Sequence, residues 1–246
     1  DLTVEVEALR DMWLVACESH RVAAEAMWQG FAEAAKRDDG VIDQKILTAK
    51  MAAESVSAAE DLGALAWSIS VRAVAGILRP YLNYRPRDVR RFYEEVQAGP
   101  PIRELLSLPD DAALSPYLDE PALDVLRKSL NELEKALRTS ADNYLKLNGM
   151  MVRTYNKIKH GFVVVVRLDK LAPGQEPPTN WEQHVNVLTG IRSDGSILYT
   201  DLERSLGMLE SLMGVIKMGN LTWKELAALV VWLSENGVPL DMVSAA

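Results

Sequence analysis

Tyr144-Leu-Lys-Leu-Asn-Gly-Met-Met-Val-Arg153-Thr-Tyr-Asn-Lys-Ile-Lys-His160-Gly161-Phe162 is the stretch whose reading decides the fold. Tyr144, Leu147, Met151, Tyr155, Ile158 and Phe162 recur at three- and four-residue steps. That spacing puts them on one side of a helix that turns about 100° per residue. Gly161 then stops the helix, and the Val-dense run from Phe162 to Leu168 favours a strand, because β-branched side chains pack well on a pleated surface. A long helix leading into a short sheet is therefore expected here. The face opposite the apolar stripe holds Asp142, Lys146, Gly149, Arg153, Asn156, Lys157 and His160. An exposed glycine inside a helix costs about 1 kcal/mol relative to alanine, so Gly149 marks a place where another backbone can approach.

Working outward toward the N-terminus, helical periodicity dominates. Leu9, Met12, Trp13, Ala16, Ala23, Ala24, Met27 and Phe31 predict one long first helix from Leu2 to about Arg37, ending at Asp38-Asp39-Gly40. A second helix is predicted from Asp43, which can cap it, through the Ala-rich stretch to Gly76, with Pro80 as its end. Met51, Leu62, Leu65, Ile69 and Ile77 form its apolar side, and Lys50, Glu54, Ser57, Asp61, Ser68 and Arg72 a polar stripe. Seven prolines between Pro80 and Pro121 break the chain into short helices, such as Asp88–Gln97 and Ile102–Leu106. This reads as a connecting excursion before the third long helix, from Pro121 to about His160.

Toward the C-terminus, the Asp194-Gly195 pair between apolar runs is a hairpin signal joining Glu182–Ile191 to Ile197–Thr200. Helical spacing returns over Asp201–Lys217 and Thr222–Glu235, with a break expected at Gly219-Asn220. The fold class is thus mainly α: long antiparallel helices in a bundle, with a small antiparallel β-hairpin or sheet inserted before the C-terminal helices. The expected organisation is one domain over 1–246. It comprises a helical bundle over 1–160 with the Pro-rich excursion at 80–121, a hairpin region at 161–201, and C-terminal helices at 202–246.

Composition narrows the functional classes. At 246 residues, 48% hydrophobic and 25% charged, the chain can bury a substantial core. Its longest apolar runs, Phe162–Val166 and Leu226–Leu233, fall far short of the roughly 20 residues that span a bilayer, so no membrane partner is expected. The chain opens on Asp1 and runs directly into an amphipathic pattern. No signal peptide is expected, and the absent initiator Met reads as a trimmed or processed start. The single Cys17 excludes an internal disulfide framework and a multi-cysteine zinc site, which fits a cytoplasmic location. His20 and His184 have no Cys, Asp or Glu at ligand spacing, so neither metal nor cofactor is expected.

A net charge of -8 argues against a surface coated for non-specific duplex binding. Two segments run against that acidic balance. Lys146 to Lys170 holds Lys146, Arg153, Lys157, Lys159, Arg167 and Lys170 against Asp169 alone, and Arg79 to Arg91 holds five arginines against Asp88. In the second segment Tyr81, Tyr84, Phe92 and Tyr93 interleave with the bases. That pattern suits single-stranded nucleic acid, but the commoner outcome is a helix edge whose aromatics face inward, which is the favoured expectation.

The run Arg153-Thr-Tyr-Asn-Lys-Ile-Lys-His160-Gly161 resembles the signature of the HEPN superfamily, helical proteins defined by an Arg, four to six residues, then a His. Long helices before the motif agree, and the resemblance covers about residues 43–162. It implies that two copies of the motif helix face each other across a cleft that cuts RNA without a metal, with Arg153 and His160 in the catalytic positions. Thr154 follows the Arg directly, where active members often carry Asn or Asp. In such a site His160, with an ordinary pKa near 6.5, would act as general base or acid on the phosphodiester. Arg153 would hold the phosphate with its planar fork, Asn156 would position either group, and Lys146, Lys157 and Lys159 would attract the RNA backbone. Seven residues of helix rise about 10.5 Å, so an Arg153 from one copy meets the His160 of another more readily than its own. A homodimer is therefore expected, with RNA or a nucleotide as ligand. The alternative is a non-catalytic helical module that binds a nucleotide or an unidentified protein partner, or acts as a scaffold. Glu54 and Asp61 could pair with Arg153 or orient His160, or could be surface carboxylates, which is the favoured expectation.

Overall fold

Ten helices and three strands are placed in the computed structural model, which describes residues 2–15, 18–158, 164–166, 185–191, 193–194, 196–200 and 206–242. The chain is mainly helical. In order along it come α1 (Leu2–Val15), α2 (Glu18–Ala34), α3 (Val41–Ser70), α4 (Arg72–Ala75), α5 (Leu78–Leu82), α6 (Pro86–Ala98), α7 (Ile102–Leu105), α8 (Asp111–Leu114) and α9 (Glu120–Ile158). Strands β1 (Val164–Val166), β2 (Val185–Ile191) and β3 (Ile197–Thr200) follow, and α10 (Leu206–Glu235) closes the sequence of elements. The strands pair antiparallel in the order β1-β2-β3, with Val164 opposite Val187, Ile191 opposite Ile197, and a register shift between Leu188 and Gly190.

The chain groups into two compact units, each assembled from discontinuous segments. One comprises residues 1–19, 58–145 and 217–246, and the other residues 20–57 and 146–216.

In the first unit, α9 starts where Asp119 accepts a hydrogen bond from the Ala122 amide at 2.9 Å, satisfying one of the orphan donors of a helix start. Leu123, Leu126, Leu130, Leu133, Leu137, Ala141 and Tyr144 are buried at helical spacing along it. Helix α6 carries Pro86 in its first turn, and the Asp88 carboxylate reaches back to the Arg85 amide at 3.1 Å. Its Val89, Phe92, Tyr93 and Val96 are buried while Arg87, Arg90, Arg91, Glu94 and Glu95 face solvent. The Pro-rich region is therefore part of the core rather than an excursion. Prolines limit helix length there, but the intervening apolar residues still bury: Ile102, Leu106, Leu108, Leu114 and Leu118 join the same interior.

Helix α3 differs from its sequence reading at both ends, and it stops at Ser70 rather than continuing to Gly76. It begins at Val41 rather than at a cap by Asp43, whose carboxylate lies in the first turn and pairs with Arg37. Its predicted polar stripe is solvated only in part: Lys50 is exposed and Glu54, Ser57 and Asp61 are half-buried, but Ser68 and Arg72 are buried along with the expected apolar side of Met51, Leu62, Leu65, Ile69 and Ile77. Small side chains let neighbours approach on most sides, and the hydroxyls are absorbed locally. Ser68 Oγ donates to the Ala64 carbonyl at 2.6 Å and Ser55 Oγ to the Ala52 carbonyl at 2.8 Å.

Arg72, only 3% exposed, is the main polar fastening of this unit. Its guanidinium donates to the carbonyls of Ile69 (2.9 Å), Leu106 (2.6 Å), Ser107 (2.9 Å), Leu240 (2.7 Å) and Met242 (2.9 Å). The C-terminal segment is thereby tied to α3 and to the turn after α7. Burial lowers the guanidinium pKa, against which the Asp241 charge raises it.

Helix α10 runs without interruption through Gly219-Asn220, contrary to the break read from the sequence. Gly219 packs beside Ala58, where an ideal Cβ would lie at ordinary contact distance, 3.5 Å, from the Ala58 carbonyl oxygen, and it makes no turn. The stop comes at Gly237, whose φ of 75° is the left-handed conformation glycine adopts without cost. The Val238 amide donates to the Leu233 carbonyl at 3.0 Å, capping the last turn.

In the second unit the interior includes Ala24, Phe31 and Ala34 from α2, Ala49, Met51 and Val56 from α3, and Leu209, Leu212 and Ile216 from α10.

Candidate functional site

Four of the sequence-predicted site residues, Lys146, Arg153, Asn156 and Lys157, belong to the C-terminal part of α9 in the second unit. The helix continues unbroken through Gly149 to Ile158. Arg153, Asn156 and Lys157 are consequently one turn apart on one helical face, about 4.5 to 6 Å along the axis. Lys146, seven residues before Arg153 and hence on the same stripe, is exposed. Lys159 and His160 lie outside the described residues, as do the side chains of Arg153, Asn156 and Lys157, and Cys17 and His184.

The two acidic residues considered as partners for this motif have other engagements. Asp61 accepts a hydrogen bond from the Tyr84 hydroxyl at 3.1 Å in the first unit. Glu54 Oε1 lies 2.5 Å from His20 Nδ1 in the second. Both are half-buried rather than surface carboxylates.

The His20–Glu54 pair escaped the sequence reading. His20 is buried on α2 and Glu54 is half-buried on α3. A carboxylate at Nδ1 fixes the tautomer and orientation of an imidazole, so this pair holds the His20 ring in a set place. The two residues are 34 positions apart on different helices, a separation that no local spacing rule detects. Among the described residues no group of three or more His, Cys, Asp or Glu could hold a metal ion.

In the first unit, α9 and α10 bound a groove of about 510 Å³. Leu126, Leu133 and Leu229 form its buried floor and Trp232 one wall, with Lys128, Glu132 and Glu225 among the polar groups at its edge. The Glu225 carboxyl is pushed above its ordinary range by burial and then by the Glu132 charge. The arginine-rich segment also belongs to this unit. Its Phe92 and Tyr93 are buried, in line with aromatics that face inward, while Arg90 and Arg91 pair with Glu94 and Glu95 one turn on.

Set against protein-family models, curated proteins and solved structures, the chain matches none of them.

Proposed function

We propose that the protein is a HEPN-like, metal-independent endoribonuclease or RNA-binding protein of a stress or defence system, working as a homodimer. Arg153 holds the scissile phosphate and stabilises its developing charge. His160 of the facing copy serves as general acid or base, Asn156 positions the reacting groups, and Lys146, Lys157 and Lys159 draw in the RNA backbone. The observation that carries this reading is the continuous helical path of α9 to Ile158, with Lys146 exposed one heptad before Arg153. A helical stripe that carries Lys146, Arg153, Asn156 and Lys157 at successive turns is what a shared cleft between two copies requires.

Incubating the purified protein with single-stranded RNA in EDTA tests the proposal. Cleavage is expected, falling by about 10²-fold or more in His160→Ala, in the range general acid–base catalysis contributes, and comparably in Arg153→Ala, with unchanged circular dichroism. Cleavage that persists in both variants, or no cleavage by the native chain, would remove the catalytic reading. A second reading, a non-catalytic module that seats a protein partner, is favoured by the apolar groove between α9 and α10.

A further inference from the structure

Between Ala73 and Arg87 the chain carries Arg79, Arg85 and Arg87 and no acidic residue. All three arginines are exposed, and Val74 and Leu82, at 94% and 71%, are the most exposed large hydrophobic side chains among the described residues. On α5 the inner side is formed by Pro80, preceded by buried Ile77, while Arg79 and Leu82, three positions apart, share the outer side. Three carboxylates touch this segment, Glu5, Asp61 and Asp88, and Asp61 accepts from the Tyr84 hydroxyl. Glu5 accepts from Ile77 at 2.7 Å and Asp88 from Arg85 at 3.1 Å, with Arg87 Nε 3.8 Å from Asp88. No carboxylate pairs with the Arg79 or Arg85 side chain among the described residues.

Two ligand chemistries answer to guanidinium groups beside apolar surface: a nucleic-acid strand and an anionic lipid surface. The aromatic rings decide between them. A single strand stacks its bases on available rings, but Tyr81 packs against Trp223 at 6.1 Å and its hydroxyl accepts from Trp223 Nε1 at 3.3 Å. Tyr84 is held through its hydroxyl by Asp61. Both tyrosines are half-buried, and the fully exposed large apolar side chains of this segment, Val74 and Leu82, are aliphatic. That combination suits the interface of a bilayer, where short apolar side chains enter the headgroup boundary and arginines meet phosphates.

We propose that the corner formed by α4, α5 and the start of α6 docks the protein peripherally on anionic lipid, with Arg79, Arg85 and Arg87 on headgroup phosphates and Val74 and Leu82 in the interface. The contact lies on the surface and does not span it, since no helix among the described residues is long and apolar enough to cross a membrane. The ribonuclease reading is not needed for it, because Arg153 and His160 take no part.

Vesicle flotation tests this with the full chain. Co-flotation is expected with vesicles of phosphatidylcholine plus phosphatidylglycerol, not with phosphatidylcholine alone, and it is expected to weaken as salt rises. Each arginine removed should weaken partitioning about fivefold, and the double variant Arg85→Gln/Arg87→Gln about thirtyfold. Val74→Ser/Leu82→Ser should weaken it while leaving the salt dependence in place. Equal flotation on neutral vesicles, no flotation at all, or flotation indifferent to these substitutions would overturn the proposal. So would a single-stranded oligoribonucleotide that binds the protein, loses binding on the same arginine substitutions, and has no vesicle counterpart, because the corner would then be a nucleic-acid surface.

Discussion

Replacing Arg72 by Met removes a guanidinium that serves five carbonyls while keeping most of the buried side-chain volume. A hydrogen bond to a charged group contributes about 1.5–3 kcal/mol net, and a buried acceptor left unpaired costs about 1–3 kcal/mol. The five bonds share one side chain and do not add. Some of the freed carbonyls near the chain end can turn to water, whereas Ile69 and Leu106 sit in the core. Arg72→Met is therefore expected to cost about 3–5 kcal/mol. At about 2–4 °C per kcal/mol for a chain of this size, that lowers the Tm by about 10 °C. Urea unfolding followed by circular dichroism reads the free energy, and a chain ended after Pro239 supplies the second half of the test. That truncation deletes the Leu240 and Met242 acceptors, so it should cost less in the Arg72→Met background than in the native one, by about 1–3 kcal/mol of coupling. A loss below about 1 kcal/mol for Arg72→Met, or strict additivity of the two changes, would refute the assignment of Arg72 as the fastening of the C-terminal segment.

Three further perturbations follow from the first unit. Gly63→Ala places a Cβ 2.7 Å from Val89 Cγ1 and 2.8 Å from Tyr93 Cε2, in a core already filled. Overpacking of about 1–3 kcal/mol is expected, seen as a lower urea midpoint. Tyr93 is fully buried and donates to the Ala59 carbonyl at 2.6 Å. Burial, then Tyr144 and Glu60, hold its pKa well above the usual value. A raised folded pKa favours the protonated form, so its contribution is whole below the unfolded pKa of about 10 and is lost as pH rises beyond it. Tyr93→Phe should flatten the alkaline fall in stability, and an unaltered alkaline limb would count against this. Glu134 behaves in the opposite sense: its hydrogen bond with Arg138 lowers the carboxyl pKa against the opposing effect of burial, and the Ile102 amide adds to the lowering. Its contribution is present above the unfolded pKa and disappears as pH falls through the folded one. Glu134→Gln should therefore reduce the slope of stability against pH on the acid side.

Period-3.6 patterning made the long elements legible. The third long helix was read from Pro121 to about His160, and α9 spans Glu120–Ile158. Two of the short helices between prolines were legible, Asp88–Gln97 against α6 at Pro86–Ala98 and Ile102–Leu106 against α7 at Ile102–Leu105, because proline and glycine punctuate a chain through local sterics; α5 and α8 were not. Burial of polar groups was not legible. Arg72 and Ser68 look like solvated stripe residues until distant carbonyls and the preceding turn are seen to satisfy them. Gly219 reads as a break for a related reason, as sequence cannot tell a glycine that ends a helix from one that a continuous helix passes through. In the candidate site, the helical placement of Arg153, Asn156 and Lys157 was legible from spacing alone. The His20–Glu54 pair was not, because its partners meet only through tertiary packing of α2 against α3.

The central claim is that Arg153 of one copy works with His160 of another, and mixing two inactive variants tests it most directly. Arg153→Ala and His160→Ala chains, unfolded together and refolded, give heterodimers in which one of the two sites keeps both side chains. Random pairing makes half of the dimers hybrid, so cleavage of single-stranded RNA should return to about a quarter of the native rate. A mixture as inactive as either variant alone, from chains shown to exchange partners, would contradict the shared site.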